Sequence, residues 1–441
     1  MLRDYPWLLM AVRFVIIGGG PAGVTAATYA ARLGAEVTLI ERDIIGGAAH
    51  LWDCIPSKAM IATGGAIAFL GRSEGMGLQT VDPTISIGNL DERLSHITGD
   101  LEAKNNELLN SQGVRIIEGT GTLLDATTIE ATLNDGTTET IEADKILLST
   151  GSRPRIPEWC SPDGKRILTT RDAYPPPEIP EHLTVVGSGV TGVEFVHMFS
   201  SLGSEVTLIV SRQHVLPGKD PEVAYELEQN FLERGVKLLK GARSTGIERD
   251  GDGVVVTCDD GRIVNSSHAL LAIGSIPNSE NLGLDAAGIE HDGGYINIDH
   301  NALSSVPNIY AAGDLSGKLP LSSVASMQGR KIAEHMLGLH KDRPHRHLSY
   351  TKAASAIFTE PEIADVGVSE ADAFAQGRKV RVTKVPFSAS AKAHINDDVR
   401  GFVKLISDPA TGVVLGGSIV CLLYTSPSPR DQRGSRMPSS A

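Results

Sequence analysis

The chain has 441 residues, which favours about three domains, and its 41% hydrophobic and 21% charged residues are an ordinary globular balance. The formal net charge of −13 argues against nucleic acid and anionic membranes as main partners, and no apolar run predicts a transmembrane segment. The few, scattered cysteines exclude a disulfide framework and favour a reducing, cytoplasmic location. These cysteines are Cys54, Cys160, Cys258 and Cys421.

The first motif is a glycine-rich turn between a predicted buried strand, at 13–17, and an alanine-rich helix. A second strand follows at 36–40 and ends in Glu41. In this order the motif is typical of dinucleotide binding, because its glycines allow the pyrophosphate to approach the helix N-terminus. The acidic residue can accept hydrogen bonds from the ribose. The glycines are Gly18, Gly20 and Gly23.

The same pattern returns after a proline-rich linker around 175–180. A strand at 183–186 precedes a second glycine motif and a helix, and another strand is predicted at 206–210. The chain therefore predicts two nucleotide-binding units of one design. The glycines of the second motif are Gly187, Gly189 and Gly192.

The two units differ at the end of their second strand. The position that corresponds to Glu41 is Val210, and Ser211 and Arg212 follow it. An acid there would repel a ribose 2′-phosphate, so its absence, with an arginine nearby, favours NADPH. NADH remains open, because Arg212 could equally be a solvated loop charge.

The rest of the chain completes an α/β pattern. Residues 59–112 are predicted to be helical, and 114–150 to form short strands with Asp135-Gly136 as a hairpin turn. A helix is predicted at 322–337, and 350–420 alternate between strands and turns.

Several further motifs follow strands in both units. They are Thr150-Gly151 with Pro154, Gly274 with Pro277-Asn278, Gly313-Asp314, and the run 358–362. Together with the glycine motifs they resemble the two-dinucleotide-binding-domain flavoprotein disulfide reductases, the family of dihydrolipoamide dehydrogenase, glutathione reductase, mercuric reductase and soluble transhydrogenase. The resemblance extends from Arg13 to Val420.

The resemblance implies two Rossmann-like dinucleotide-binding domains plus a truncated α+β dimerisation domain. The expected parts are an FAD-binding domain at 10–150 and 279–346, an NAD(P)-binding domain at 151–278, and a dimerisation domain at 347–420. It also implies FAD with NADPH or NADH as cofactors, a homodimer, and a bond from Asp314 to the flavin ribityl chain. The run 358–362 is expected to be the opening strand and turn of the dimerisation domain.

The segment GGAAHLWDCIPSK at 46–58 is similar to the family's redox segment, which carries two cysteines. Here Ala49 stands in place of the first cysteine and Cys54 matches the second. The resemblance also implies that Lys58 approaches the flavin and pairs with Glu194. His50 and Trp52 fall in the variable gap of the motif and are not expected to be catalytic.

A dithiol relay to a disulfide substrate needs a second thiolate near Cys54, and the local sequence offers none. The helix start favours a lowered pKa for Cys54, although a leftover structural thiol is an equal alternative. The segment is similar to that of a single-cysteine NAD(P)H quinone reductase branch, which implies a quinone-type acceptor. A dihydrolipoamide dehydrogenase-like enzyme, a soluble transhydrogenase and a non-catalytic flavoprotein remain alternatives.

Residues 421–441 break the family pattern. They begin with CLLYTS, the translation of a common sequencing-adapter end, so they are expected to be a non-native tail; a disordered natural tail is the alternative. The family's C-terminal His-Glu acid–base pair, which serves the partner's site, has no counterpart here.

Overall fold

The computed structural model of the protein describes residues 11–79, 83–339 and 348–421. The helices are α1 (Pro21–Arg32), α2 (Ile55–Arg72), α3 (Ile87–Ser111), α4 (Val190–Ser201), α5 (Pro221–Glu233), α6 (Ser322–Met336), α7 (Glu370–Ala375) and α8 (Ala391–Ile395). The strands to the middle of the chain are β1 (Arg13–Ile17), β2 (Glu36–Glu41), β3 (Arg115–Leu123), β4 (Thr128–Leu133), β5 (Thr138–Glu142), β6 (Lys145–Leu148), β7 (Ser152–Pro154), β8 (Ile167–Thr169), β9 (His182–Val186), β10 (Glu205–Val210), β11 (Lys237–Lys240) and β12 (Ser244–Asp250). The later strands are β13 (Gly253–Cys258), β14 (Ile263–Ser266), β15 (His268–Leu271), β16 (Ser275–Pro277), β17 (His291–Asp292), β18 (Tyr295–Ile296), β19 (Ile309–Ala311), β20 (Ser355–Ile357), β21 (Ile363–Gly367), β22 (Arg381–Pro386), β23 (Phe402–Ser407) and β24 (Val414–Val420).

The first sheet has seven strands in the order β19-β6-β1-β2-β3-β4-β5. β1 pairs in parallel with β2 and β6, and β19 pairs in parallel with β6 although it comes much later in the chain. β3, β4 and β5 extend the sheet as antiparallel hairpins. Helices α1 and α6 pack together on one face, where Phe14, Ala26 and Ile332 are fully buried. Burial on both faces explains the continuous apolar sequence of β1.

The second sheet has five parallel strands in the order β11-β10-β9-β15-β8. The antiparallel sheet β12-β13-β14 packs on it through Ile247, Val254 and Val256. The unit β9–α4–β10 repeats β1–α1–β2, as the spacing of the two glycine motifs predicts. The Asp135-Gly136 pair lies in the turn expected of it.

The third sheet has five antiparallel strands in the order β20-β21-β24-β23-β22. Phe402 and Val420 share one hydrophobic cluster with Phe199 and Phe231 of the second unit. The ammonium group of Lys404, whose side chain is 3% exposed, bonds Asp220 at 2.9 Å and Glu222 at 2.7 Å. A buried, paired lysine fixes this sheet against α5. The predicted α/β fold class is confirmed.

Two local predictions need correction. The region 59–112 is not one helical stretch, because α2 ends at Arg72 and α3 begins only at Ile87. Gly77 takes a φ of +83°, which a helix does not use, and the hydroxyl of Ser86 caps α3 by accepting from the Asn89 N–H at 3.3 Å. Phe358 lies after strand β20 and not in it. The tail at 421–441 lies outside the described residues except for Cys421, and the domain boundaries stay a prediction.

In the described part of the chain one helical stretch, Ala49–Gly71, is long and apolar enough to cross a membrane by length and composition. A third of its most apolar window, 33%, is buried, and Ala59 and Met60 pack in the same cluster as Val193 and Phe195 of α4. A core helix meets the same two criteria, so the stretch is weak evidence for a membrane span.

Candidate active site

The first glycine motif lies where β1 meets the N-terminus of α1. Gly23 packs so closely that a Cβ atom there would lie 2.0 Å from the carbonyl oxygen of Gly18. Gly20 is the N-cap of α1, carries no capping side chain, and has nothing within 4 Å of the place where a Cβ would be. The first N–H groups of α1 are therefore left for an anion such as a pyrophosphate.

Glu41 lies beside this motif at the end of β2. One carboxylate oxygen accepts the Gly19 N–H at 2.6 Å and the other accepts the Asp43 N–H at 2.8 Å. Burial raises the pKa of Glu41, while these backbone hydrogen bonds oppose the rise. The carboxylate is thus fixed where the ribose of a bound dinucleotide would lie.

The second glycine motif repeats this geometry between β9 and α4. A Cβ at Gly192 would lie 1.9 Å from the carbonyl oxygen of Gly187, and Gly189 is an uncapped N-cap that faces open space. No carboxylate stands at the end of β10, where Val210 is fully buried. Ser211 and Arg212 follow it as exposed residues.

The segment 46–58 is held against the first glycine motif. Gly46 and Gly47 have φ values of +116° and +58°, and the Gly46 N–H donates to the Gly19 carbonyl at 2.8 Å. A Cβ at Gly46 would lie 2.1 Å from Nδ1 of His50, so only glycine fits there. Residues Ala49–Asp53 form a short π-helical turn, in which the Cys54 N–H donates to the Ala49 carbonyl at 3.1 Å.

Lys58 and Glu194, which are far apart in sequence, meet in this structure. The ammonium group lies 2.9 Å from one carboxylate oxygen of Glu194, and their side chains are 36% and 10% exposed. The other oxygen accepts the Phe358 N–H at 3.0 Å, and the ammonium lies 5.0 Å from the centre of the Phe358 ring. Helix α2, helix α4 and the segment after β20 therefore meet at this ion pair.

The motifs that follow strands in the two units also meet. Strand β7 pairs antiparallel with β16. The Thr150 hydroxyl donates to the Asn278 backbone carbonyl at 2.6 Å, and the Asn278 side-chain amide donates to the Thr150 backbone carbonyl at 2.9 Å. Gly151 and Gly274, with φ of +69° and +93°, turn the chain into these strands. Asp314 accepts the Ser152 hydroxyl at 2.6 Å.

Comparison with known proteins agrees with this geometry. The model of the pyridine nucleotide-disulphide oxidoreductase family matches residues 12–329, and the dimerisation domain of the same family matches 353–425. The chain belongs to the pyridine nucleotide-disulphide oxidoreductase family.

Three relatives in this family are informative. An NAD(P)H dehydrogenase (quinone) from Mycobacterium tuberculosis is 44% identical over 423 residues, which are 93% of this chain and 85% of that protein. The crystal structure of LpdA from M. tuberculosis has a TM-score of 0.89 and 42% identity, with 94% of this chain and 91% of that one covered. A dihydrolipoyl dehydrogenase from Chlamydia muridarum is 36% identical, covering 92% of this chain and 86% of that protein.

The cofactors of this oxidoreductase family are FAD and NAD(P)H, and the residues present fit both. Each uncapped helix N-terminus lies behind a glycine whose missing Cβ leaves open space, at Gly20 and at Gly189. The first cradle has Glu41 beside it and the second does not. FAD at the first motif and NAD(P)H at the second is the arrangement that this difference favours.

The predicted pKa shift of Cys54 is wrong in direction. Cys54 is a free thiol in the described structure, and burial raises its pKa. Lys58 lowers it, but Asp53 and Asp314 add to the rise. Cys54 is also the N-cap of α2, so the favourable helix end is outweighed by desolvation and by nearby carboxylates.

Sequence reasoning missed a cation beside the redox segment. The guanidinium carbon of Arg171 lies 4.3 Å from the centre of the Trp52 ring, and Arg171 Nη2 lies 3.7 Å from a carboxylate oxygen of Asp53. The same nitrogen donates to the Ser152 carbonyl at 2.9 Å. Trp52 and Asp53 lie in the variable gap of the redox segment, and no local sequence pattern links that gap to Arg171.

Proposed function

We propose that this oxidoreductase passes electrons from NAD(P)H through FAD to a quinone-type acceptor. The observation that carries the proposal is the redox segment, where Ala49 stands in place of the first cysteine and Cys54 is a free thiol. Cys160 and Cys258 are buried in the cluster between β15 and β12–β13, which is a different hydrophobic core from the one that contains the helix after Cys54. A dithiol cycle has no second thiol here, whereas a quinone needs none.

The residues of the chain have separable roles in this proposal. The two glycine motifs bind the two pyrophosphates, Glu41 and Asp314 bind hydroxyls of FAD, and the Thr150–Asn278 contacts hold the strand ends together. FAD, when bound, accepts a hydride from the nicotinamide and delivers two electrons to the acceptor. Glu194 fixes the ammonium of Lys58, and this positive charge would stabilise the negative charge that develops on the flavin during its reduction.

For the nicotinamide coenzyme we favour NADPH, with NADH as the alternative. The end of β10 offers the exposed Ser211 and Arg212 and no carboxylate. Arg212 carries a charge that suits a 2′-phosphate, and the Gly241 N–H fixes its backbone by donating to its carbonyl at 3.2 Å.

Two relatives support different acceptors. The 44% identical protein is named for quinone, and the 36% identical one is named for dihydrolipoyl. Ala49 decides between them, because dihydrolipoyl chemistry requires the thiol that this position lacks. A homodimer and a cytoplasmic location complete the proposal. The dimerisation-domain match supports the homodimer, and cysteines that form no disulfide in the described residues support the location.

Rapid mixing of the FAD-loaded protein tests this proposal. NADPH or NADH should bleach the flavin, and menadione should then reoxidise it within the turnover time, while lipoamide should not. Transfer of hydride from NADPH to a thio-NAD analogue, without a quinone, measures the transhydrogenase alternative. Lipoamide turnover comparable to menadione turnover would refute the choice of acceptor.

A further inference from the structure

The carboxyl group of Asp53 has an unusual environment one residue before Cys54. Its side chain is 42% exposed, yet burial by surrounding atoms raises its pKa to about 6. Arg171 lies 3.7 Å from this carboxyl and donates to the Ser152 carbonyl, and the Ser152 hydroxyl donates to Asp314, so these contacts connect Asp53 to the expected cofactor site. Arg171 lowers the pKa of Asp53, Asp314 raises it and Lys58 lowers it.

Lys58 and Asp314, which both act on Asp53, are already engaged. Lys58 is paired with Glu194, and Asp314 accepts the Ser152 hydroxyl. Burial disfavours the ionised form of Cys54, which makes it a poor partner for proton exchange near neutral pH. Among these groups, Asp53 is therefore the acid that is exposed enough to exchange a proton with solvent.

Arg171 fixes where this acid points. Its side chain is 18% exposed, its planar group stacks on Trp52, and its Nη2 is bonded to the Ser152 carbonyl. The distance of 3.7 Å to Asp53 is too long for a direct hydrogen bond, so the pair is an electrostatic contact that leaves the carboxyl lone pairs available. Stacking and backbone bonding hold the guanidinium even when Asp53 is neutral.

Reduction of a quinone to a hydroquinone takes two electrons and two protons. A hydride equivalent, which FAD would supply when bound, carries both electrons and one proton, and the second proton must reach the other oxygen. We propose that Asp53 donates this second proton to the quinone-type acceptor and that Arg171 is the residue that positions Asp53. The O–H bond of the Asp53 carboxyl breaks, a new O–H bond forms on the acceptor, and the carboxylate recovers its proton from solvent. The inference rests on the proposed function.

Several charged groups set the pH dependence. Those that act on Asp53 are Arg171, Asp314 and Lys58, and Asp53 in turn acts on Cys54 and Tyr174. The groups that act on Arg171 are Arg42, Asp43 and Arg153. Because Asp53 donates only when protonated, the rate constant for quinone reduction is highest below pH 6 and falls as pH rises through the pKa of Asp53.

The decisive experiment separates electron transfer from proton transfer. The FAD-loaded protein is reduced with NADPH and then mixed with menadione or with ferricyanide, which accepts electrons without a proton. Asp53→Asn should slow reoxidation by menadione on the order of 10²-fold and leave ferricyanide reduction unchanged. Asp53→Glu keeps a carboxyl and should recover part of the rate. Asp285→Asn, at a 98% exposed site, is the matched control.

The positioning role has its own readout. Arg171→Met removes the cation that lowers the pKa of Asp53, so the midpoint of the pH–rate profile should move upward. Arg171→Lys should keep the midpoint close to that of the unchanged protein. Difference infrared spectra of the carboxyl band give the titration of Asp53 without turnover, and this band should disappear in Asp53→Asn.

The outcomes distinguish the two proposals. If the unchanged protein reduces ferricyanide but not menadione, the proposed function fails. If it reduces menadione and Asp53→Asn does so equally fast with the same pH profile, Asp53 is not the donor. A variant that is slow with both acceptors would also overturn the inference, because the defect would then lie in electron transfer.

Discussion

The two nucleotide-binding units share a backbone design and differ in their charge. In both, a close-packed glycine and an uncapped helix N-terminus prepare an anion site, at Gly23 and Gly20 in the first and at Gly192 and Gly189 in the second. Only the first adds a half-buried carboxylate, Glu41. The backbone therefore prepares both units to bind a pyrophosphate, and we expect the strand-end residue to select which dinucleotide enters.

The largest effect should come from the close-packed glycines. Gly23→Ala would place its Cβ 2.0 Å from the Gly18 carbonyl oxygen, and Gly192→Ala would repeat this at 1.9 Å in the second unit. We expect Gly23→Ala to yield protein without FAD, and Gly192→Ala to keep FAD but lose reduction by NADPH on the order of 10²-fold, because overpacking costs about 1–3 kcal/mol or more. Flavin absorbance and bleaching rates measure both.

Gly99→Ala, in α3, is the control, since nothing lies within 4 Å of its Cβ position. If Gly192→Ala lost FAD and Gly23→Ala retained it, the assignment of the two motifs would be reversed.

The ion pair that links the units should have the next largest effect. Lys58→Met leaves the Glu194 carboxylate, 10% exposed, without its cation, which should lower stability by about 1–2 kcal/mol because Lys58 is itself partly solvated. Glu194→Gln can still accept the Phe358 N–H and should cost less. Thermal unfolding of both variants measures this order, and the opposite order would show that the unpaired Glu194 carboxylate is not the costly group.

The coenzyme difference predicts a smaller, selective effect. Arg212→Ala should raise the KM for NADPH about tenfold, since a charge-assisted hydrogen bond contributes about 1.5–3 kcal/mol, and should leave the KM for NADH unchanged. Arg249→Ala, whose side chain faces Asp163, serves as the control. Equal changes for NADPH and NADH would mean that Arg212 does not contact a 2′-phosphate.

The smallest effect concerns Glu41. Its raised folded-state pKa means that its favourable contribution is full below the unfolded pKa and is lost as pH rises through the folded one. In the cofactor-free protein, the Tm of Glu41→Gln should therefore fall less between pH 4 and pH 8 than the Tm of the unchanged protein. A parallel decline in both proteins would show that the carboxylate is not desolvated.

Repetition made much of this fold predictable. The β–α–β spacing located both glycine motifs, and resemblance brought Lys58 to Glu194 across 136 residues, which the structure shows in contact. The pKa of Cys54 was not predictable, because desolvation depends on atoms from other segments. The stacking of Arg171 on Trp52 was missed for the same reason, since a contact between an isolated turn and a variable gap leaves no periodic signal.

Strand β19 also has a consequence for synthesis of the protein. It covers the β6 edge of the first sheet, yet the whole second unit is translated between them. At a translation rate of about 5–20 residues per second, β19 is synthesised on the order of ten seconds after its pairing partners Ile146, Leu147 and Leu148. During this interval the β6 edge of the sheet lacks its partner, and an open apolar edge is a template for wrong pairing. The short strand β19 ends that exposure.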